Sequence, residues 1–236
     1  MQSAATFLGS TIGKKVVMAL TGVVLVGFVF AHMTGNLQLY LGPETMNAYG
    51  RLLHELGHGA ALWIFRSVLL VCVGLHVWAA TSLTLQSRAA RPVGYRKESW
   101  TESTYASRTM MMSGLIVAAF IIYHLLHFTV QTQTVNLTGK SFLDLTDAKG
   151  RHDVFAMMVM GFRQPVVACF YLFAMALLCL HLSHGISALI QSLGLKPQAW
   201  GPCIDRCAVW IAWAIFVGYS SIPIAILLGY GNEAAK

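Results

Sequence analysis

Charge is what this sequence has least of. Sixteen Lys and Arg with nine Asp and Glu make up 11% of 236 residues, against 56% apolar residues. A soluble domain carries roughly 25% charged residues, so the deficit excludes an ordinary water-soluble fold and points to a bilayer as solvent. A disulfide framework is missing as well. Cys72, Cys169 and Cys179 lie inside apolar segments, where a free thiol behaves as a small hydrophobe. Cys203 and Cys207 form a CxxxC with no second Cys or His pair beside it, short of the roughly four ligands a zinc site takes. No basic run interleaved with aromatics occurs, so the net charge of +7 is no sign of nucleic acid; the charges fall between apolar segments, as topology determinants do. A cleavable leader is not expected, because the apolar stretch after Lys14 and Lys15 runs too long and lacks a small-residue cleavage site. Internal repeats and low-complexity stretches are not evident.

What is present is five apolar segments, each near the ~20 residues a bilayer requires: 14–39, 62–86, 109–131, 163–190 and 207–229. The expected fold is all-α, a single five-helix transmembrane bundle over residues 1–236. Leu41-Gly42-Pro43 closes the first span, and Lys196-Pro197 with Gly201-Pro202 separates the last two. Pro165 opens the fourth span, where its missing N–H costs little, and Pro223 is expected to kink the fifth. The densest basic cluster runs through Arg88, Arg91, Arg96, Lys97 and Arg108, against Glu98 and Glu102. It sets the second connection inside, hence N-terminus inside and C-terminus outside.

Four of these segments each carry a histidine at depth: His32, His76, His124 and His181. An ionisable residue there marks a functional site by default. At about 1.5 Å per residue, His32 and His124 lie well along outward-going spans, and His76 and His181 well along inward-going ones. They therefore sort into an outer and an inner pair. Two stacked bis-histidine sites suit two b-type haems used for electron transfer, since two axial imidazoles leave no open position for oxygen. Gly22 and Gly114 each precede an outer histidine by ten residues, about 15 Å of helix, which sets them at the level of the inner pair. They either let a macrocycle approach the backbone or serve ordinary helix packing. His127 and His184 each follow a proposed ligand by three residues and are its rivals, with hydrogen bonding or a propionate contact as their other roles. His54, His58 and His152 fall in outer loops. The Met110-Met111-Met112 run reads as packing.

These residues resemble a known family, the cytochrome b membrane anchor of dihaem succinate:quinone oxidoreductases, which include quinol:fumarate reductases. The resemblance spans nearly the whole chain. It rests on Lys15, Thr21-Gly22 and Phe30-Ala31-His32-Met33-Thr34-Gly35-Asn36-Leu37, then Gly74-Leu75-His76, Ser107-Arg108 and Ser113-Gly114. It continues in Tyr123-His124-Leu125-Leu126-His127-Phe128-Thr129, His181-Leu182-Ser183-His184-Gly185 and Ser192-Leu193-Gly194. The resemblance implies that His32, His124, His76 and His181 are the haem-iron ligands. It also implies two haem b groups, a quinone (menaquinone for dihaem members), and a flavoprotein and an iron–sulfur subunit docked on the cytoplasmic face of a prokaryotic inner membrane. Succinate oxidation would then belong to a partner subunit. Within that picture Glu44 and Glu55 are candidates for proton exchange near the outer haem, or plain solvated loop carboxylates. Arg66 is placed to pair with an outer propionate or to snorkel. Arg108 and Ser107 would serve inner propionates or a quinone, and Trp100 and Tyr105 read as interface anchors. The alternatives are the cytochrome b subunit of a hydrogenase or formate dehydrogenase, and a haem-free anchor or transporter whose histidines shuttle protons.

Overall fold

The computed structural model describes residues 4–90 and 104–232. Arg91, Arg96, Lys97, Glu98, Trp100 and Glu102 of the basic connection lie outside the described residues. In chain order the helices are α1 (Ala4–Gly9), α2 (Thr11–Asn36), α3 (Pro43–Glu55), α4 (Ala60–Ala89), α5 (Tyr105–Arg108), α6 (Met110–His124), α7 (Val154–Phe162), α8 (Pro165–Ser192) and α9 (Gly201–Leu227). A 3-10 turn, Leu37–Leu41, extends α2, and a π turn, Leu125–Thr129, extends α6. Among the described residues there is no strand, only an isolated bridge between Thr146 and His152.

Among the described residues, five helical stretches are long and apolar enough to cross a membrane. Four correspond to α2, α6, α8 and α9. The other runs from Pro43 to Ala89, but only α4 supplies its apolar part. Gly57, His58 and Gly59 hold φ of 60°, 55° and 84°, a left-handed run that no α-helix passes through. Local chemistry sets the other ends. Ser10 caps α2 by accepting from the Gly13 amide at 3.0 Å. Gly42, at φ 93°, stops the first span, and Pro43 starts α3 at the position where proline's missing N–H costs nothing. The same device starts α9 at Gly201-Pro202, six residues before the expected 207. There the proline opens the span instead of merely separating it from its neighbour.

Two connections expected to be loops contain helices. The segment with Glu44, Glu55 and His54 is α3, a polar helix outside the apolar stretch of α4. The segment before the fourth span contains α7, in which Phe155, Ala156, Met157, Met158, Val159, Gly161 and Phe162 are all buried. At about 1.5 Å per residue its nine residues are too short to span. Its role is to plug one end of the bundle against Leu39, Val167, Tyr171, Ile222 and Ile226.

Helix α2 packs on α4 and α8, α6 packs on α8, and α4 meets α6 only slightly; α9 lies against α8 and α2. The four histidine-bearing helices therefore form a ring in which α2 faces α6, and α4 faces α8, across the diagonals. Neighbours run antiparallel: Lys14 lies over Trp78 and Met18 reaches His76, while Ser113 reaches His181 and His124 reaches Tyr171. On α4 only Ala79 is buried, and Trp63, Ile64, Phe65, Leu70 and Val71 are exposed. An apolar face of that length is stable in hydrocarbon and would be a liability in water.

Candidate functional site: two tiers of paired histidines

Each diagonal carries one histidine pair. Near the end where α2 begins, His76 on α4 faces His181 on α8, with ring centres 6.4 Å apart. Farther along, His32 on α2 faces His124 on α6, with ring centres 5.7 Å apart. Imidazole–metal bonds run about 2.0–2.1 Å and the ring centre lies about 1 Å behind the nitrogen, so two imidazoles on opposite sides of one ion hold their centres about 6 Å apart. Both pairs sit at that spacing. All four rings are half-buried, so each still borders accessible space.

The tautomer of the lower pair is set by the neighbouring helix. His76 Nδ1 lies 3.2 Å from the Met18 carbonyl and 3.3 Å from Thr21 Oγ1. A carbonyl can only accept, so Nδ1 carries the proton and Nε2 keeps its lone pair, the form that ligates metal. His181 is held in the same way by a hydroxyl: Nδ1 lies 3.4 Å from Ser113 Oγ, whose own hydrogen goes to the Met110 carbonyl at 3.1 Å. The glycines stand at the lower level, as counting ten residues back from each upper histidine requires. What each abuts is the imidazole of its neighbour. A Cβ on Gly22 would lie 3.7 Å from His76 Cε1, and one on Gly114 would lie 3.3 Å from His181 Cε1. Thus α2 and α6 share one device, Met-x2-Thr/Ser-Gly followed ten residues later by His. That correspondence escapes a search for repeats because so few of the residues match.

In the upper tier the Asn36 amide donates to His32 Nε2 at 3.3 Å, so the lone pair again sits on Nε2, and Phe28 stacks on the ring at 5.2 Å. For Nε2 to take a metal, the amide must give way. His124 Nδ1 lies 3.3 Å from the Tyr171 hydroxyl. His127 is fully buried, closed in by Phe128, Phe142 and Gly161. With no accessible face it is packed where a cofactor does not reach. His184, farther along α8, lies near Asp205 and Lys196. His54 bonds to its own helix at the Gly50 carbonyl, 2.9 Å away, and His152 Nε2 lies 3.1 Å from Gln131 Nε2.

The remaining candidates are scattered. Glu44 is paired with Lys149 and with Arg151, each at 2.8 Å. Hydrogen bonds from Arg151 and then Lys149 pull its carboxyl down to about 2. Glu55 pairs with Arg51 on its own helix at 2.7 Å, both exposed. Arg66 lies 5.2 Å over the Trp63 ring, a cation–π contact within α4. The Ser107 amide is capped by Thr104 Oγ1 at 3.2 Å, and Arg108 is exposed at the end of α5, which packs on α8. Arg66, Arg108 and Ser107 are not brought into contact with a histidine pair by any of these interactions. Sequence reasoning missed Tyr171 and the carbonyl partner Met18. The only signal was a hydroxyl residue just before each glycine.

Comparison with known proteins identifies no relative. No family model, curated protein or solved structure matches the chain. What the site can hold is therefore read from its own side chains. Among the described residues no three His, Cys, Asp or Glu converge. Each histidine pair offers at most two ligands, so a metal there must bring its other ligands with it. A planar tetrapyrrole does so, and the inner pair fits it as a donor set, His76 anchored by the Met18 carbonyl and His181 by the Ser113 hydroxyl.

Proposed function

We propose that this chain is the cytochrome b membrane anchor of a dihaem succinate:quinone oxidoreductase, multi-pass in the inner membrane of a prokaryote with its N-terminus inside. The observation that carries the reading is the pair of diagonal bis-histidine sites, at imidazole spacings of 6.4 and 5.7 Å, on two levels of one helix ring. His76 and His181 hold a haem b in the inner half of the membrane, and His32 and His124 hold one in the outer half. Bound haem supplies one-electron transfer between the iron–sulfur subunit and quinone.

The chain's own residues then do the following. Met18, Thr21 and Ser113 keep the inner imidazoles proton-down on Nδ1. Gly114 lets the His181 ring seat against the backbone, and Gly22 leaves room beside His76. The apolar walls exclude water, which strengthens every electrostatic interaction inside. The basic connection from Arg88 to Arg108 docks the flavoprotein and iron–sulfur partners. Arg108 and Ser107 serve the inner end, and Arg66 the outer. Quinone, as menaquinone, reacts near His32 and His124, with Glu44 or Glu55 exchanging protons with the outer water.

The purified complex tests this. A pyridine haemochrome assay should give two haems per chain, and the subunit list should include a flavoprotein and an iron–sulfur protein. Absence of Soret absorption would favour a haem-free anchor or transporter. A nickel or molybdenum partner would move the chain to a hydrogenase or formate dehydrogenase.

A further inference from the structure

Beside His124 lies a hydrogen-bond chain that none of the foregoing uses. After His124 the helix widens into the π turn, closed by the Val130 amide on the Leu125 carbonyl at 2.7 Å. Such single π turns gather at functional sites. This one leaves His124 and His127 reaching the same hydroxyl. Tyr171 on α8 has its oxygen 3.3 Å from His124 Nδ1 and 3.0 Å from His127 Nδ1. The tyrosine is locked edge-on between Phe120 and Phe162, with ring centres at 5.0 and 4.9 Å. His127 is fully buried, and among the described residues its Nε2 has no partner. Gly161 of α7 backs onto that nitrogen, where a Cβ would lie 3.1 Å away.

Three groups and two hydrogen bonds admit few proton arrangements. If His124 gives its Nε2 lone pair to iron, its Nδ1 bears the proton and donates to the Tyr171 oxygen. The one tyrosine hydrogen then goes to His127 Nδ1, which must accept. Neutral His127 is left with its proton on Nε2, the sealed atom. An orphaned buried N–H is costly, and it persists where the rest of the network requires it.

We infer that Tyr171, supported by His127, is a positioning residue for the axial ligand His124: the pair fixes its tautomer and ring orientation and raises its basicity. The inference rests on the haem reading of His124. It also separates the two tiers, because His76 is held by a backbone carbonyl, which no substitution removes, while His124 is held by a phenol that a single substitution removes. An acceptor on the outer nitrogen makes an imidazole a stronger ligand. A hydroxyl that itself donates onward is the better acceptor. Both favour ferric over ferrous iron.

The test is a redox titration of the intact complex, each haem followed by its own optical band. Tyr171→Phe should weaken the preference for ferric iron at the outer haem about tenfold, a rise of about 59 mV for one electron, and leave the inner haem unmoved. His127→Leu, which keeps the phenol but removes its acceptor, should shift the outer haem the same way by less. Two haems in the unaltered complex are the condition set by the function proposal; their absence would sink that proposal and this inference with it, whereas outcomes read with both haems bound bear on the inference alone. With both haems bound, an unshifted outer potential in Tyr171→Phe would overturn the inference. So would a fall, or an equal shift of both haems. If Tyr171→Phe fails to retain the outer haem, the potential in His127→Leu decides, and no change there overturns the inference equally.

Discussion

At the scale of single residues, neighbouring histidines are told apart by what closes around them. His124 and His127 are three positions apart, yet one borders accessible space and the other has none. His32→Ala or His124→Ala should remove the outer haem and leave the inner one largely in place; His76→Ala or His181→Ala should do the reverse. Loss of the same spectral component from His32→Ala and His76→Ala would break the pairing. The glycines give a finer test. A methyl on Gly22 would sit 3.7 Å from its imidazole, an ordinary contact, whereas one on Gly114 would sit 3.3 Å away, tighter than side chains normally tolerate. Gly22→Ala should therefore leave the inner haem's spectrum as it is, and Gly114→Ala should displace His181 and perturb it. Leu at either position overpacks, a change that costs on the order of 1–3 kcal/mol even in ordinary cores, and should disturb the inner haem specifically.

At the scale of elements, α3 and α7 form a cap tied together by polar groups. Asn47 on α3, fully buried, donates to Asp153 at 3.0 Å and accepts from the Phe155 amide at 3.0 Å. Asp147 joins through Arg151 at 2.7 Å, and Arg151 continues to Glu44. Burial pushes the Asp147 carboxyl up, but the Arg151 side chain and the Arg151 and Lys149 amides outweigh it and hold the group at about 2. Both acids are thus lowered on folding, so their contribution is present in full above the ordinary carboxylate range near 4 and is lost as pH falls towards 2. Hydrogen exchange at the Phe155 amide should be insensitive to pH-driven loosening between 5 and 8, once the intrinsic exchange rate is corrected for, and should accelerate below about pH 4. Acceleration already at pH 6 would mean that another group holds the cap.

At the scale of the whole molecule, haems held on the two tiers as proposed would carry charge between the faces of the membrane, worth about 2.3 kcal/mol per charge per 100 mV. The two tiers have different hydrogen-bond partners, so the haems should titrate as two distinct components; a single component would be evidence against the asymmetry. Proton exchange at the outer face needs a carboxyl that can take up a proton near neutral pH. Glu44, gripped by two cations, is the poorer carrier. Glu55, joined to one exposed arginine by a surface pair of the kind worth about 0–1 kcal/mol, is the freer. Glu55→Gln should lower quinone turnover while succinate oxidation with a soluble dye acceptor continues, and Glu44→Gln should leave both intact with a weaker cap. Normal quinone activity in Glu55→Gln would exclude it.

The sequence by itself determined the five apolar stretches, since composition and length alone decide what can cross hydrocarbon. It also determined the sorting of histidines by depth, because rise per residue is constant along a helix. Gly22 and Gly114 fell at the lower level for the same reason. Only the tertiary structure decided which helices face one another, and so that each pair spans a diagonal. It also decided that α7 is a buried plug, a nine-residue apolar run too short to be read as anything but a connection. Tyr171 was out of reach of sequence reasoning, because its link to His124 and His127 crosses 44 residues or more. Local periodicity carries no information about a hydrogen bond between two helices. Their relative height and rotation are set by packing.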